Sequence, residues 1–142
     1  MVYITEALLI KKSPLEQILH GHKIFEVRGE TCNIRGWVGL VQSCGEGPDP
    51  NNGFLRAVVH LRDSMGPLTL EQMNDPRMLY LTGRNRQWEQ LPYPRTYFWV
   101  VDEIQELDDA FIPPRRQGQV KWIKFNPMLY VQIEPTPIIT ID

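Results

Sequence analysis

The clearest pattern in the chain is a regular alternation of apolar and polar side chains over residues 55–62. Leu55, Ala57, Val59 and Leu61 occupy every second position, and half of the positions between them are basic. Successive side chains of a β-strand point to opposite faces of the sheet. The pattern therefore predicts a strand with one face in the core and the other face half basic.

Several other short segments share this strand character, because they are rich in β-branched and aromatic residues. They are residues 5–10, 23–28, 36–43, 97–104, 120–125 and 129–133. Capping signals predict short helices at residues 14–20 and 70–82, the second as one broken helix or two, ended by Gly83. Strands and helices do not alternate as βαβ units would. The predicted fold class is therefore α+β, mostly β with two or three short helices, built as a small antiparallel barrel.

The length of the chain fits one domain. Its 142 residues lie within the usual size of a single domain. We expect a core over residues 5–133 and an extended C-terminal tail over residues 134–142, where 138–141 could pair as an edge strand. The formal net charge is -2. Binding to a polyanion therefore requires a local basic patch, since the chain as a whole does not attract one.

The remaining composition argues against several classes of protein. Cys32 and Cys44 are too few for a disulfide framework, so we expect two reduced thiols in a cytoplasmic protein. No apolar run approaches the roughly 20 residues that span a bilayer, and the first residues carry no basic segment, so we expect neither membrane nor signal peptide. His20, His22 and His60 lack a third ligand at useful spacing, so we expect no metal. No cofactor motif is present, and the sequence does not predict an oligomeric state.

The most chemically suggestive segment runs from Gly21 to Arg28. Lys23, Glu26 and Arg28 fall within six residues at a predicted helix-to-strand corner. Strand periodicity puts Glu26 and Arg28 on one face. A carboxylate between two cations stays ionised, and the cations offer donors to a phosphate, carboxylate or carbonyl group. The alternative is a solvated strand face with one ion pair, which is common and contributes little to stability.

A second group combines aromatic and basic side chains in the C-terminal half. Its members are Trp88, Tyr93, Arg95, Tyr97, Trp99, Arg115, Arg116, Lys121 and Trp122. Bases stack on aromatic rings while cations follow phosphates. Residues 113–124 carry four cations and no acid, so they predict a local basic patch. The alternative is that Phe98, Val100 and one of the tryptophans Trp99 and Trp122 belong to the core.

The pattern Gly-x-Lys-x-x-Glu-x-Arg from Gly21 to Arg28 resembles the signature of the ASCH domain, a PUA-like small β-barrel. Its surroundings are similar as well. A strand and short helix precede it, and Arg-Gly at residues 35–36 precedes the next strand. The aromatic run at 97–100 and the proline, arginine and Gln-Gly segment at 113–118 also match. The resemblance therefore covers most of the chain.

The resemblance implies a cleft lined by the motif side chains that binds RNA or a nucleotide-like ligand. Lys23 and Arg28 would act as anion or base-edge donors, and Glu26 would accept from a base amine or hold the two cations. Tyr97 or Trp99 would supply a stacking wall. The predicted ligand-binding residues are Gly21, Lys23, Glu26, Arg28, Arg35, Tyr97, Trp99, Arg115 and Arg116.

Two other functions stay open. Some ASCH proteins are amidohydrolases that deacetylate acetylated cytidine, or proposed ribonucleases. In that case Lys23 would polarise or activate the substrate and Glu26 would be the general base. The amidohydrolases use the motif lysine, a threonine and a later glutamate. Here Glu26 stands at the threonine position and the later glutamate falls near Glu71, which counts against this activity. The third possibility is a protein-interaction module linked to transcription or translation.

Overall fold

The computed structural model describes residues 2–45, 47–113, 121–132 and 136–137. Within them, the strands are β1 (Val2–Ile10), β2 (Phe25–Arg28), β3 (Gly36–Gln42), β4 (Leu55–Met65), β5 (Tyr97–Phe111), β6 (Trp122–Val131) and β7 (Thr136–Pro137). The helices are α1 (Lys12–Leu19), α2 (Leu70–Met73) and α3 (Pro76–Leu81). The predicted mostly-β fold with short helices is confirmed.

All these strands belong to one mixed sheet. The pairing order is β2-β5-β4-β3-β1-β6, and β7 pairs with β5. The β1–β3 pair is parallel, whereas the other pairs are antiparallel. A parallel neighbour requires a crossover, and the segment that contains α1 and β2 supplies it.

The sheet of the described strands is open, with β2 and β6 at its two ends, so the predicted closed barrel is not confirmed. The sheet is nevertheless strongly curved. The rings of Trp99 on β5 and Trp122 on β6 stack with their centroids 5.9 Å apart, although three strands lie between β5 and β6 in the pairing order. The curvature gives the sheet a concave face, which α1 covers through Leu15 and Ile18.

The start of α1 differs from the prediction. The helix begins at Lys12, so Ser13 lies inside it, and the capping residue Lys11 makes no side-chain cap hydrogen bond. The predicted start at residue 14 is therefore two residues too late. The Glu16 carboxylate is 2.5 Å from the Arg56 guanidinium on β4, a tertiary ion pair that local helix signals do not reveal. The helix end is as predicted, because Gly21 has a φ of 76°.

The second predicted helix is two helices. The capping box at the start of α2 is present: the Gln72 backbone N–H donates to the Thr69 hydroxyl, and the Thr69 N–H donates to the Gln72 side chain. Asp75 caps α3 by accepting from the Arg77 N–H at 2.9 Å. Gly83 follows α3 with a φ of 76°. These local signals end α3 at a defined position, which fixes the carbonyl of Thr82.

Strand lengths differ from prediction where tertiary pairing extends them. β1 begins at Val2 and β5 continues to Phe111. The two strands predicted at 120–125 and 129–133 are represented, among the described residues, by the single strand β6 (Trp122–Val131). Proline is tolerated in β6 because this strand ends the sheet path and its register with β1 shifts between Ile4 and Glu6. The predicted edge pairing at 138–141 lies outside the described residues.

Both cysteines are free thiols. Cys32 is buried, and burial raises the pKa of its thiol above the usual value, whereas Cys44 is exposed. Among the helices that the structure describes, none has the length and apolar character needed to cross a membrane.

Candidate functional site

The predicted corner between α1 and β2 is held by backbone hydrogen bonds on both sides. After the turn at Gly21, the His22 N–H donates to the Gln17 carbonyl, which closes the helix. The Ile24 N–H then donates to the carbonyl of Leu81 at the end of α3, at 2.9 Å. Lys23 lies between these two anchors. Its side chain is therefore directed by α3 as well as by the turn that leads into β2, which begins at Phe25 rather than at the predicted residue 23.

Lys23 is one of the few buried charged residues, with 4% of its surface exposed. Its Nζ donates to the Thr82 carbonyl at 3.2 Å and lies 3.7 Å from Glu26 Oε1. Burial lowers the pKa of the Lys23 amine, and the neighbouring Glu26 carboxylate opposes this shift. A buried amine with a lowered pKa is more readily available as a neutral base or nucleophile than an ordinary lysine.

Glu26 lies between the two cations of the motif. It is 7% exposed, and its Oε2 is 3.5 Å from the Arg28 guanidinium, while Oε1 faces Lys23. Oε1 also accepts from the Val27 N–H at 3.1 Å. The predicted carboxylate between two cations is thus present. The alternative of a solvated strand face is wrong, because Lys23 and Glu26 are both buried.

Arg28 connects this cluster to the rest of the sheet. Its guanidinium donates to the Leu9 carbonyl of β1 at 3.4 Å and lies 5.4 Å from the centre of the Trp99 ring. Charge-assisted hydrogen bonds are typically about 2.7–2.9 Å long. The contacts of Glu26 with Lys23 and Arg28, at 3.7 and 3.5 Å, are longer than that, so these three side chains hold each other loosely.

The two predicted stacking residues lie opposite the motif, because Glu26 pairs with Trp99 and Arg28 pairs with Tyr97. Trp99 is only 1% exposed, its Nε1 donates to the Glu30 carbonyl at 2.8 Å, and it stacks on Trp122. Trp99 is therefore the core member of the tryptophan pair. A base could reach its ring only after a neighbouring side chain moved. Tyr97 is half-buried and stays the predicted stacking residue.

The other predicted cations are distributed differently. The Arg35 guanidinium donates to the carbonyls of Cys32 and Ile34 at 2.6 and 2.9 Å, so it stabilises the segment before β3. Lys121 pairs with Glu30, and Lys124 pairs with Glu6 at 3.3 Å. Acids from elsewhere in the chain therefore partly neutralise the predicted basic patch. Arg115 and Arg116 lie outside the described residues.

Sequence reasoning missed the backbone partners of the motif. The carbonyls of Thr82 and Leu9, which accept from Lys23 and Arg28, come from segments distant in sequence, and a carbonyl carries no residue-type signal. The glycine that ends α3 is the one local signal that bears on the position of Thr82. Within the described ranges, no group of three or more His, Cys, Asp or Glu residues could hold a metal ion.

Comparison with known families finds no family model that matches the chain, and no curated protein matches it significantly. The structure defines an α+β protein with one curved, mixed sheet. At the β2 end of this sheet, Lys23, Glu26 and Arg28 form a charged cluster.

Proposed function

We propose that this chain is an ASCH-type protein with a PUA-like barrel that binds RNA, or a nucleotide-like component of it, at Lys23, Glu26 and Arg28. The observation that carries the proposal is the convergence of these three side chains, with Glu26 3.7 Å from Lys23 and 3.5 Å from Arg28. Two cations and one carboxylate provide both donors and an acceptor. A nucleotide presents acceptors for the two cations and amine donors for the carboxylate.

Each side chain has a distinct role in this proposal. Arg28 retains 19% of its side-chain surface exposed and offers a planar donor fork to a phosphate or a base edge. Glu26 accepts from an exocyclic base amine, as acidic side chains do from cytosine. Lys23, held by the Thr82 carbonyl, donates to a base carbonyl.

Binding of single-stranded RNA is expected to weaken steeply as salt rises, and Arg28→Ala is expected to make that dependence shallower. Each phosphate that a cation neutralises contributes roughly 0.7 to the magnitude of the slope of log K against log salt for a single strand. The slope of the Arg28→Ala variant should therefore be shallower by roughly 0.7. The measurement is a titration of labelled single-stranded RNA, single-stranded DNA and duplexes across a salt series.

The matched control is Arg62→Ala, which removes an exposed arginine of β4 that lies outside the motif. Arg28→Lys serves as a second variant, because it keeps the charge but loses the bidentate fork. Thermal unfolding of each variant shows that the fold is intact. Undetectable or salt-insensitive binding of the wild-type protein would contradict the proposal.

Hydrolysis of a modified nucleoside is the second candidate, and the lowered pKa of the buried Lys23 amine beside Glu26 favours it. In this reaction Glu26 takes a proton from water while the hydroxide forms a bond to the acyl carbon. Lys23 stabilises the developing oxyanion. The C–N bond then breaks, and the amine of the nucleobase leaves with the proton that Glu26 took from water.

If the protein is such a hydrolase, acetylated cytidine is converted to cytidine and acetate by the wild-type protein. Lys23→Met would lower turnover by ~10²-fold or more, the order expected when an oxyanion-stabilising group is removed. Chromatography of the nucleoside products measures this. Methionine fills the lysine volume, and thermal unfolding of the variant checks that the fold is intact. If the wild-type protein and Lys23→Met released acetate at equal rates, the activity would come from a contaminant or from other residues, and the role of Lys23 would be contradicted.

A further inference from the structure

The segment after α3 forms a separate cavity of about 470 Å³. This volume lies within the ~300–1,000 Å³ typical of small-molecule sites. The cavity is lined by Arg84, Arg86, Gln87, Trp88, Glu89, Gln90 and Pro92. Two arginines and one glutamate give the lining a formal charge of +1. None of the Gly21–Arg28 motif residues lines this cavity.

The shape of the cavity is held by bonds from the helices. The Asn74 side chain, just after α2, donates to the Trp88 carbonyl at 2.9 Å and accepts from the Trp88 N–H at 2.7 Å. The Arg84 N–H donates to the Leu79 carbonyl of α3 at 3.0 Å. A site whose backbone is already fixed loses less conformational entropy when a ligand binds.

The arginines of the cavity are arranged to receive an anion. The Arg84 guanidinium lies 3.6 Å from the centre of the Trp88 ring, and its Nε donates to the Arg86 carbonyl at 3.2 Å. Stacking fixes the plane of the guanidinium and leaves its terminal N–H groups for an acceptor. Arg86 is exposed, and neither arginine forms an ion pair with a carboxylate among the residues that the structure covers.

The cavity segment is also tied to the Lys23 site. Thr82, whose carbonyl accepts from Lys23, is followed by Gly83 and then by Arg84. The Gln17 side chain of α1 donates to the Gly83 carbonyl at 3.0 Å. The same short turn therefore positions the motif lysine and the first arginine of the cavity.

We infer that this cavity binds a backbone phosphate of an RNA strand that occupies the Lys23, Glu26 and Arg28 site. The inference rests on the proposed function and extends it from one nucleotide to a strand. Two arginines that pair with no carboxylate of the described residues match the charge and the bidentate geometry of a phosphate. The Trp88 ring holds Arg84 in position for it.

The test uses a labelled single-stranded RNA of mixed sequence, titrated against the wild-type protein, Arg86→Gln and the control Arg62→Gln across salt concentrations. Both variants remove one exposed arginine, but only Arg86 lines the cavity. Arg86→Gln is expected to lower affinity roughly 5-fold at low salt and to reduce the salt slope by roughly 0.7, while the control changes little. Arg84→Lys, which keeps the charge but loses the stacked plane, is expected to weaken binding as well.

The outcomes separate the two proposals. If the wild-type protein binds no RNA, the proposed function fails and this inference fails with it. If it binds RNA and Arg28→Ala weakens binding, but Arg86→Gln behaves like Arg62→Gln, only the cavity assignment is overturned. If Arg86→Gln weakens binding of a glutamate-rich peptide and leaves RNA binding unchanged, the cavity is a site for acidic peptides and the inference is likewise overturned.

Discussion

Glu26→Gln is expected to lower the free energy of unfolding by about 3–5 kcal/mol near neutral pH, the range seen when one partner of a buried ion pair is removed. Lys23 would stay buried, with the Thr82 carbonyl as its remaining polar partner. Burial and, less strongly, the positive charge of Arg28 lower the pKa of the Lys23 amine, and the Glu26 carboxylate that opposes them would be lost. Denaturant unfolding of both proteins measures the loss.

The same variant has a predictable pH dependence. In the folded protein the pKa of Lys23 lies below the ordinary 10.5, so the folded state releases this proton at a lower pH than the unfolded state. Stability therefore rises with pH between the folded pKa and 10.5. Glu26→Gln lowers the folded pKa further, because it removes an interaction that raises it. The deficit of the variant should shrink as pH increases.

The control for this prediction is Lys23→Met combined with Glu26→Gln, which removes the uncompensated amine. The double variant is expected to recover most of the stability, because apolar replacements of buried ion pairs are often neutral or stabilising. A loss below about 1 kcal/mol for Glu26→Gln alone would be typical of an exposed pair. That result would contradict the burial of the Lys23 and Glu26 cluster.

Trp99→Ala is the second variant with a large expected effect, a loss of about 3–5 kcal/mol. Trp99 is 1% exposed and packs in the core on the concave face of the sheet. The substitution would leave a cavity beside Trp122 and the Arg28 guanidinium, and the Glu30 carbonyl would lose its indole donor. Denaturant unfolding and RNA titration of the same preparations measure both consequences.

A matched aromatic control is Tyr80→Ala on α3, since Tyr80 is 67% exposed. This change is expected to alter stability by no more than about 0.5 kcal/mol. If Trp99→Ala kept the stability of the wild-type protein and abolished only RNA binding, Trp99 would be the stacking wall implied by the resemblance. The core role that its burial indicates would then be wrong.

A cluster of two cations and a carboxylate in which Lys23 and Glu26 are buried is an unfavourable way to fill the end of a sheet. Removing charges from water costs free energy that loose contacts of 3.5–3.7 Å offset poorly. Groups with perturbed pKa values concentrate at functional sites, although structural ion pairs also perturb pKa. The desolvation of this cluster therefore supports a binding or catalytic role for it, which the RNA titration tests directly.

Several features were predictable from local sequence because their causes are local. The Thr69 and Gln72 capping box, the glycines that end α1 and α3, and the alternation at β4 all depend on neighbouring residues. Strand periodicity also placed Glu26 and Arg28 on one face, and their 3.5 Å contact agrees. Local signals did not reveal the tertiary contact of Glu16, whose carboxylate pairs with Arg56 on β4.

By itself, the sequence determined that the chain is mostly β with short helices and that Glu26 and Arg28 share one face of a strand. The tertiary structure alone decided that β1 and β3 run parallel, that the described sheet is open, and that Lys23 is buried against Thr82. Periodicity determines which face of an element a side chain occupies. It does not determine which distant backbone segment that face meets, and the carbonyls that complete this site come from such segments.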